Sequence, residues 1–294
     1  MDALLAQVFT GISAGAVLLL IALGLTLTFG QMGVINMAHG EFIMAGAYTA
    51  YVVSTIVAST ELSLLIALPA GFVIGGLLGL ALEASVLRWM YARPLDTLLV
   101  TYGVGLVLQQ VARDIFGAPA KEVPAPSWLD GSIPILGYDF PLTRLFIIVL
   151  AAACVAALLA VLRFTALGRQ IRATVGNRDL AETIGISTRR TDRATFFIGS
   201  GLAGVAGVAL TLLGSTGPNL GTSYIVQAFL VVVVGGIGHL KGTIVAALGI
   251  GLLQAFLAHA LTGSVAQVIV FLAIVAFLQL RPQGILSVRT RSLA

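Results

Sequence analysis

The sequence predicts an all-α fold, a polytopic transmembrane helical bundle that forms one domain over residues 1–294. Of the 294 residues, 59% are hydrophobic and only 10% are charged, whereas about a quarter of the residues in a soluble globular protein are charged. Apolar runs close to 20 residues long repeat along the whole chain, and such runs are typical of membrane-spanning helices. The alternation of apolar and polar residues that marks a transmembrane barrel is absent from the sequence.

Nine apolar runs are the candidate spans. They cover residues 5–29, 42–58, 63–87, 97–116, 144–163, 194–214, 224–238, 243–260 and 263–280. The two runs that follow residue 223 are short and separated by a glycine-rich break, so the sequence predicts eight or nine passages. A secretory signal would require a Lys or Arg before the first run, and none is present. We therefore expect this run to be retained as a span.

The arginines indicate the orientation of the bundle. They cluster in the link between the third and fourth spans, in the link between the fifth and sixth, and on the C-terminal tail. Cytoplasmic loops of membrane proteins carry an excess of Lys and Arg. These regions, including a loop at about 164–193, should therefore face the cytoplasm, and the loop at about 117–143 should face outward. The arginines concerned are Arg88, Arg93, Arg163, Arg169, Arg172, Arg178, Arg189, Arg190, Arg193, Arg281, Arg289 and Arg291.

Glycines at four-residue spacing predict close helix packing. Gly71, Gly75 and Gly79 form one such stripe, and Gly11 and Gly15 form another. Within lipid, small residues at this spacing allow two helix backbones to approach closely. Both stripes are therefore interpreted as packing surfaces.

Three features resemble chemical sites only superficially. The segment Gly199–Gly204, GSGLAG, satisfies a dinucleotide-binding pattern but lies in an apolar run with no preceding strand. In Gly236–Thr243, GIGHLKGT, the Lys precedes the last Gly instead of following it, as a phosphate-binding loop requires. Cys154 lies in an alanine-rich run and is interpreted as a small buried apolar residue. No nucleophile–base pair or metal-ligand spacing is visible, so an intramembrane enzyme is not expected.

The cytoplasmic link contains a short amphipathic helix. Asn177 is a plausible N-cap, Asp179 suits the first turn, and Gly185 suits the end of the helix. Leu180, Ala181 and Ile184 share one face of this helix, while Arg178 and Glu182 share another. A solvated, positively charged loop would explain the same residues. The apolar face would also allow the helix to lie in a groove on a partner protein.

Polar residues interrupt the apolar pattern at Gly30–Ala47 and again at Gly235–Gly251. Such groups are costly at membrane depth unless they line a cavity, and transporters often form the substrate path from two discontinuous helices. The predicted pathway residues are Gln31, Asn36, His39, Glu41, Thr101, Tyr102, Gln109, Gln110, His239 and Lys241. The alternative is that both breaks are ordinary turns at the cytoplasmic edge, with Glu41 as a helix cap, Lys241 as an inward positive charge and the glutamines bonding neighbouring helices.

Three segments resemble the high-affinity branched-chain amino-acid ABC permeases: GLTLTFGQMGVINMAHGEFIMAGAY, LGRQIRATVGNRDLAETIGI and VVVVGGIGHLKGTIVAALGIG. The segments GVINMAHGEFIMAGAYTAYVV, ARPLDTLLVTYGVGLVLQQVARDIFGA and PSWLDG resemble the urea ABC permeases more closely. The resemblance implies a bacterial inner-membrane importer with a second permease subunit, two cytoplasmic ATPases and an extracytoplasmic binding protein. It also implies that Asp179, Leu180, Ala181, Glu182, Ile184 and Gly185 contact an ATPase, whose subunits bind ATP and Mg, while this chain holds no cofactor and no nucleic acid.

The resulting expectation is an importer that works by alternating access, with urea as its substrate. An inventory rich in Asn, Gln, Thr and Tyr suits urea, whereas a leucine-like substrate would need charged partners and an apolar slot. A branched-chain or other amino-acid importer is the first alternative. A passive channel is the second, and it would need no cytoplasmic helix to receive an ATPase.

Overall fold

The computed structural model describes residues 2–90, 93–135 and 138–286, and this part of the chain is almost entirely helical. It contains eleven α-helices and one antiparallel hairpin. The helices are α1 (Asp2–Met32), α2 (His39–Ile56), α3 (Thr60–Ser85), α4 (Pro94–Phe116), α5 (Leu142–Phe164), α6 (Ala166–Gly176), α7 (Arg178–Thr183), α8 (Thr188–Leu210), α9 (Leu220–Gly235), α10 (Leu240–Ala260) and α11 (Gly263–Leu280). The strands β1 (Ser132–Ile135) and β2 (Tyr138–Pro141) pair with each other.

The predicted polytopic helical bundle is confirmed. Each of the nine predicted spans corresponds to one helix of 16 to 31 residues. Among the described residues, seven helices are long and apolar enough to cross a membrane. The other two, α2 and α9, fall outside this group because α2 begins with the polar residues His39 and Glu41 and α9 has only 16 residues.

Helices α1 and α8 form the centre of the bundle, with α3 packed on α8 and α10 packed on α1. Both predicted glycine stripes lie at these contacts. A Cβ atom built on Gly75 would lie 2.6 Å from the carbonyl oxygen of Ser200, and one built on Gly11 would lie 2.7 Å from the Cα of Leu252. Side chains at these positions would push the helices apart, so the interpretation of the stripes as packing surfaces is confirmed.

The pattern GSGLAG lies within α8 and serves the same packing. Gly204 contacts the backbone of Gly71 on α3, and Gly199 contacts Gly24 on α1. Cys154 is buried within α5, as expected for a small apolar residue.

The two polar loops lie at opposite ends of the bundle, as the arginine distribution predicted. The loop at about 117–143 carries the hairpin, and Lys121 pairs with Thr216 through two backbone hydrogen bonds of 2.7 Å. Helix α5 then runs to the other end, where α6 and α7 form the arginine-rich link. This is the end predicted to face the cytoplasm, and it is called the cytoplasmic end below. At the tail, Arg281 is exposed, whereas the predicted Arg289 and Arg291 lie outside the described residues.

Helix α4 lies at the periphery and packs chiefly on α2. Several large apolar side chains on its outer side are exposed, among them Leu95, Leu99, Val107 and Ile115. Helix α4 is therefore held by one narrow face, which is the face that carries its buried polar residues.

Candidate functional site

The backbone breaks after α1 and returns into the bundle. Gly33 has φ +65°, a left-handed conformation that glycine adopts without strain, and it ends the helix. The non-helical residues 33–38 follow, and α2 then starts at His39. The His39 Nε2 lies 3.2 Å from the carbonyl oxygen of Ile21, which is more than halfway along α1. The first turn of α2 therefore lies deep inside the bundle.

Helix α9 begins at the same depth. A Cβ atom on Gly40 would lie 2.6 Å from the carbonyl oxygen of Gly221, so the first turns of α2 and α9 are in backbone contact. From this junction α2 runs to the end that carries the outer loop, since Glu61, just beyond it, accepts a hydrogen bond from Ser127. Helix α9 runs to the cytoplasmic end, where Gly235 contacts Gly242. The first break therefore starts at the cytoplasmic end of α1 and returns to the level of Ile21, deeper than a turn confined to the cytoplasmic edge.

Three helices contribute to a polar cluster at this junction. The Nε2 of Gln109 on α4 donates to Oε1 of Glu41 at 2.8 Å and to Oγ1 of Thr222 on α9 at 2.7 Å. Glu41 is 3% exposed and Gln109 is 8% exposed. The sequence predicted Glu41 and Gln109 as pathway residues, and the structure brings them together. It adds Thr222, which the sequence analysis missed.

A polar track on α4 follows the broken backbone. Its members recur every four residues, so each is the neighbour of the next in a stripe that winds slowly around the helix: Thr97, Thr101, Gly105, Gln109 and Arg113. Thr101 Oγ1 accepts from the backbone N–H of Met37 at 3.0 Å. A Cβ on Gly105 would lie 3.5 Å from Cγ of Glu41, and Arg113 donates to Oδ1 of Asn219 at 2.7 Å. The spacing was present in the sequence and was the signal that could have revealed the track.

Several buried polar atoms beside the track have no hydrogen-bond partner among the described residues. They are both amide atoms of Asn36, Oε2 of Glu41, Nδ1 of His39 and the hydroxyl of Tyr48. Leaving a buried polar group without a partner costs about 1–3 kcal/mol. Glu41 and Tyr48 also line a cavity of about 400 Å³ between α2, α3 and α4, which is otherwise mainly apolar. Polar atoms of this kind are suited to bind a small polar solute.

Gln31 lies in a second cluster, at the cytoplasmic end of α1. Its Nε2 donates to Oδ1 of Asp192 at 3.2 Å, and its Oε1 accepts from the hydroxyl of Thr195. Asp192 is fully buried and pairs with Arg178 of α7. This cluster links the short cytoplasmic helix to α8 and to the last turn of α1.

The remaining predicted pathway residues lie elsewhere. The two glycine-rich breaks do meet, because Gly30 contacts Gly238 near the cytoplasmic end of α1. However, the His239 side chain bonds the nearby backbone carbonyl of Ile237, and Lys241 is exposed beside it, away from the Glu41 cluster. On α4, Tyr102 is exposed and Gln110 donates to Asp114 on the outer side of the helix.

The short cytoplasmic helix forms as predicted. The side chain of Asn177 accepts from the backbone N–H of Leu180 at 3.0 Å, and Gly185 ends the helix with φ +86°. The predicted apolar face divides in two, because Ala181 is buried whereas Leu180 and Ile184 are 59% and 68% exposed. The cytoplasmic end thus presents two uncovered aliphatic side chains.

Comparisons with known proteins agree on one family. Residues 7–278 match the family model described as "Branched-chain amino acid transport system / permease component". The chain is 30% identical to the high-affinity branched-chain amino acid transport system permease protein LivH of Salmonella typhimurium, over 96% of this chain and 95% of that protein. It is 29% identical to the corresponding permease protein BraD of Pseudomonas aeruginosa, over 96% and 95%. No solved structure matches.

Proposed function

This chain belongs to the branched-chain amino acid transport permease family, and from that premise we propose that it is one of two membrane subunits of an ATP-driven importer. A second, homologous permease subunit would complete the pathway. Two cytoplasmic ATPase subunits would bind ATP and Mg, and this chain would hold no cofactor of its own. An extracytoplasmic binding protein would deliver the solute at the end that carries the loop 117–143.

The junction of α2 and α9 is the observation that carries the proposal. Irregular backbone at membrane depth is tolerated where it is buried in protein or lines a water-filled cavity. Here a broken segment, two helix N-termini and the polar track of α4 lie together. A solute that follows this track would meet polar atoms from Thr101 to Arg113. Alternating access would open the junction first to one end of the bundle and then to the other.

A branched-chain amino acid is the first candidate substrate. The relatives reported above are named for such substrates. The cavity at Glu41 also suits an aliphatic amino acid. The Glu41 carboxyl group could accept hydrogen bonds from the ammonium group of the solute, and the apolar walls could hold its side chain.

Urea is the second candidate. The predicted urea specificity finds no support in the relatives, so it rests on the residues alone. Asn36, Gln109 and Thr222 are neutral groups that could bond the carbonyl and amide groups of urea. The closer sequence resemblance of three segments to urea permeases points the same way.

Helix α7 is proposed to receive the ATPase. Leu180 and Ile184 offer an exposed apolar surface at the cytoplasmic end, and Arg178 joins this helix to the buried Asp192. A movement of the ATPase subunits would reach Gln31 and the break at Gly33 through this link. A ligand or motor can shift such an equilibrium only through contacts that differ between the two states.

The test is ATP-dependent uptake by the complete complex reconstituted in vesicles, with labelled leucine and labelled urea offered separately. We expect accumulation against a gradient with an active ATPase and none with an ATPase that cannot hydrolyse ATP. Uptake that stops when the concentrations inside and outside the vesicles are equal, with or without ATP hydrolysis, would indicate a passive channel. The solute that accumulates decides between the two candidate substrates.

A further inference from the structure

We propose that Oε2 of Glu41 and the hydroxyl of Tyr48 form a binding site for an N–H group of the transported solute. The inference rests on the proposed function and names the chemistry that the pathway recognises. It requires a solute that carries hydrogen-bond donors on nitrogen, as both an amide and an ammonium group do.

One carboxyl oxygen of Glu41 is held by Gln109, and the other is available to bind a ligand. The amide nitrogen of Gln109 carries two hydrogens, and its two bonds to Oε1 of Glu41 and to Thr222 use both. Oε2 of Glu41 is buried and has no partner among the described residues. Glu41 lies in the first turn of α2 and the first turn of α9 contacts its backbone, so two positive helix ends favour a carboxyl group there.

Tyr48 lies about two helical turns along α2 from Glu41, on the same face. Its ring stacks on Phe116 of α4, with 4.2 Å between the ring centroids and 11° between the ring planes. Its hydroxyl is buried without a partner among the described residues. Both side chains line the same cavity of about 400 Å³. The hydroxyl can accept one hydrogen bond and donate another, so a solute between the two groups could satisfy both.

The composition of the site disfavours two other solute classes. An anion would face the Glu41 carboxyl group, and a purely apolar solute would leave Oε2 unpaired. A solute with N–H donors meets neither penalty. Urea and an α-amino acid share this chemistry, and their difference lies in whether an aliphatic side chain occupies the apolar walls formed by residues such as Met44 and Leu108.

The experiment compares Glu41→Gln and Tyr48→Phe with Tyr51→Phe in the complete reconstituted complex. Glu41→Gln keeps the shape but can turn the free acceptor into a donor, and losing a hydrogen bond to such a group should lower uptake below saturation about 10-fold or more. Tyr48→Phe removes one hydroxyl and should lower uptake about threefold or more. Tyr51 lies on the same helix outside the cavity lining, so Tyr51→Phe should import as well as the wild type.

The experiment is run once with labelled leucine and once with labelled urea. The solute that the wild type imports, and that the variants import more slowly, is the one that supplies the N–H group. If Glu41→Gln and Tyr48→Phe both import at the wild-type rate, the inference is overturned and the importer assignment stays intact. A wild-type complex that imports neither solute would instead count against the proposed substrates. If Glu41→Gln fails to assemble, Tyr48→Phe decides alone, since it removes only one oxygen atom.

Discussion

Gly40 and Gly221 join the first turns of α2 and α9 by direct backbone contact. A Cβ atom on Gly40 would lie 2.6 Å from the carbonyl oxygen of Gly221, a distance that real Cβ contacts do not show. The junction that holds the Glu41 cluster therefore depends on the absence of a side chain at these two positions.

Gly40→Ala should lower the melting temperature of the purified permease and reduce uptake. The added methyl group has only backbone to displace, and overpacking of this kind costs about 1–3 kcal/mol. Gly249→Ala is the matched control, because it lies within α10 and a Cβ there meets nothing within 4 Å. Thermal melting in detergent gives the melting temperatures of both variants. Equal melting temperatures would contradict the close contact at Gly40.

Gln109→Leu should reduce ATP-dependent uptake at least about 10-fold, since it removes the donor that holds Glu41 and leaves the carboxyl group without its hydrogen bond. Gln110→Leu tests the sequence prediction that both glutamines line the path. The structure places Gln110 on the outer side of α4, so that variant should transport normally. Equal losses in the two variants would mean that α4 is rotated relative to the position described.

Leu180→Asp should abolish both uptake and the co-purification of the ATPase subunits. Leu180 is exposed at the cytoplasmic end, and a carboxylate there would have to be desolvated in an apolar groove of the partner. Leu180→Met keeps the apolar bulk and should preserve assembly. Pull-down of the ATPase from solubilised membranes, followed by an uptake assay, checks the pair. An intact complex with Leu180→Asp would exclude Leu180 from the docking surface.

Asp192→Asn should lower the number of solute molecules imported per ATP hydrolysed. The substitution weakens the pairing with Arg178 and the bond from Gln31, which together join α7 to the end of α1. Asp139→Asn, in the exposed hairpin of the outer loop, should leave that ratio unchanged. Parallel assays of uptake and of phosphate release give the ratio. A proportional fall in both rates, with the ratio preserved, would contradict a coupling role.

Periodicity and local capping were readable from the sequence. Apolar runs gave the nine long helices, and the four-residue spacing of Gly71, Gly75 and Gly79 gave a true helix contact. Asn177 and Gly185 marked the ends of α7 because capping depends on a few neighbouring residues. These features share one property: the information that determines them lies within a single helix.

Depth and helix partnership were not readable in the same way. The sequence paired the first glycine-rich break with residues 235–251, and Gly30 does contact Gly238. The Gln109 that bonds Glu41, however, is shared with Thr222 of α9, which the sequence did not indicate. Thr222 stands at the start of an apolar helix and carries no local sign of its role. Likewise, hydropathy gave no distinction between a turn at the membrane edge and a helix that begins beside Ile21, because both are short polar interruptions.

The peripheral position of α4 has a consequence for how the two shapes of an importer could interconvert. Glycine contacts bring α1, α3, α8 and α10 close together, whereas α4 is joined mainly to α2 and could move as a wall beside them. Tilting α4 would widen the solute pathway without disturbing the close contacts among α1, α3, α8 and α10. The free-energy difference between the two conformations could therefore stay small.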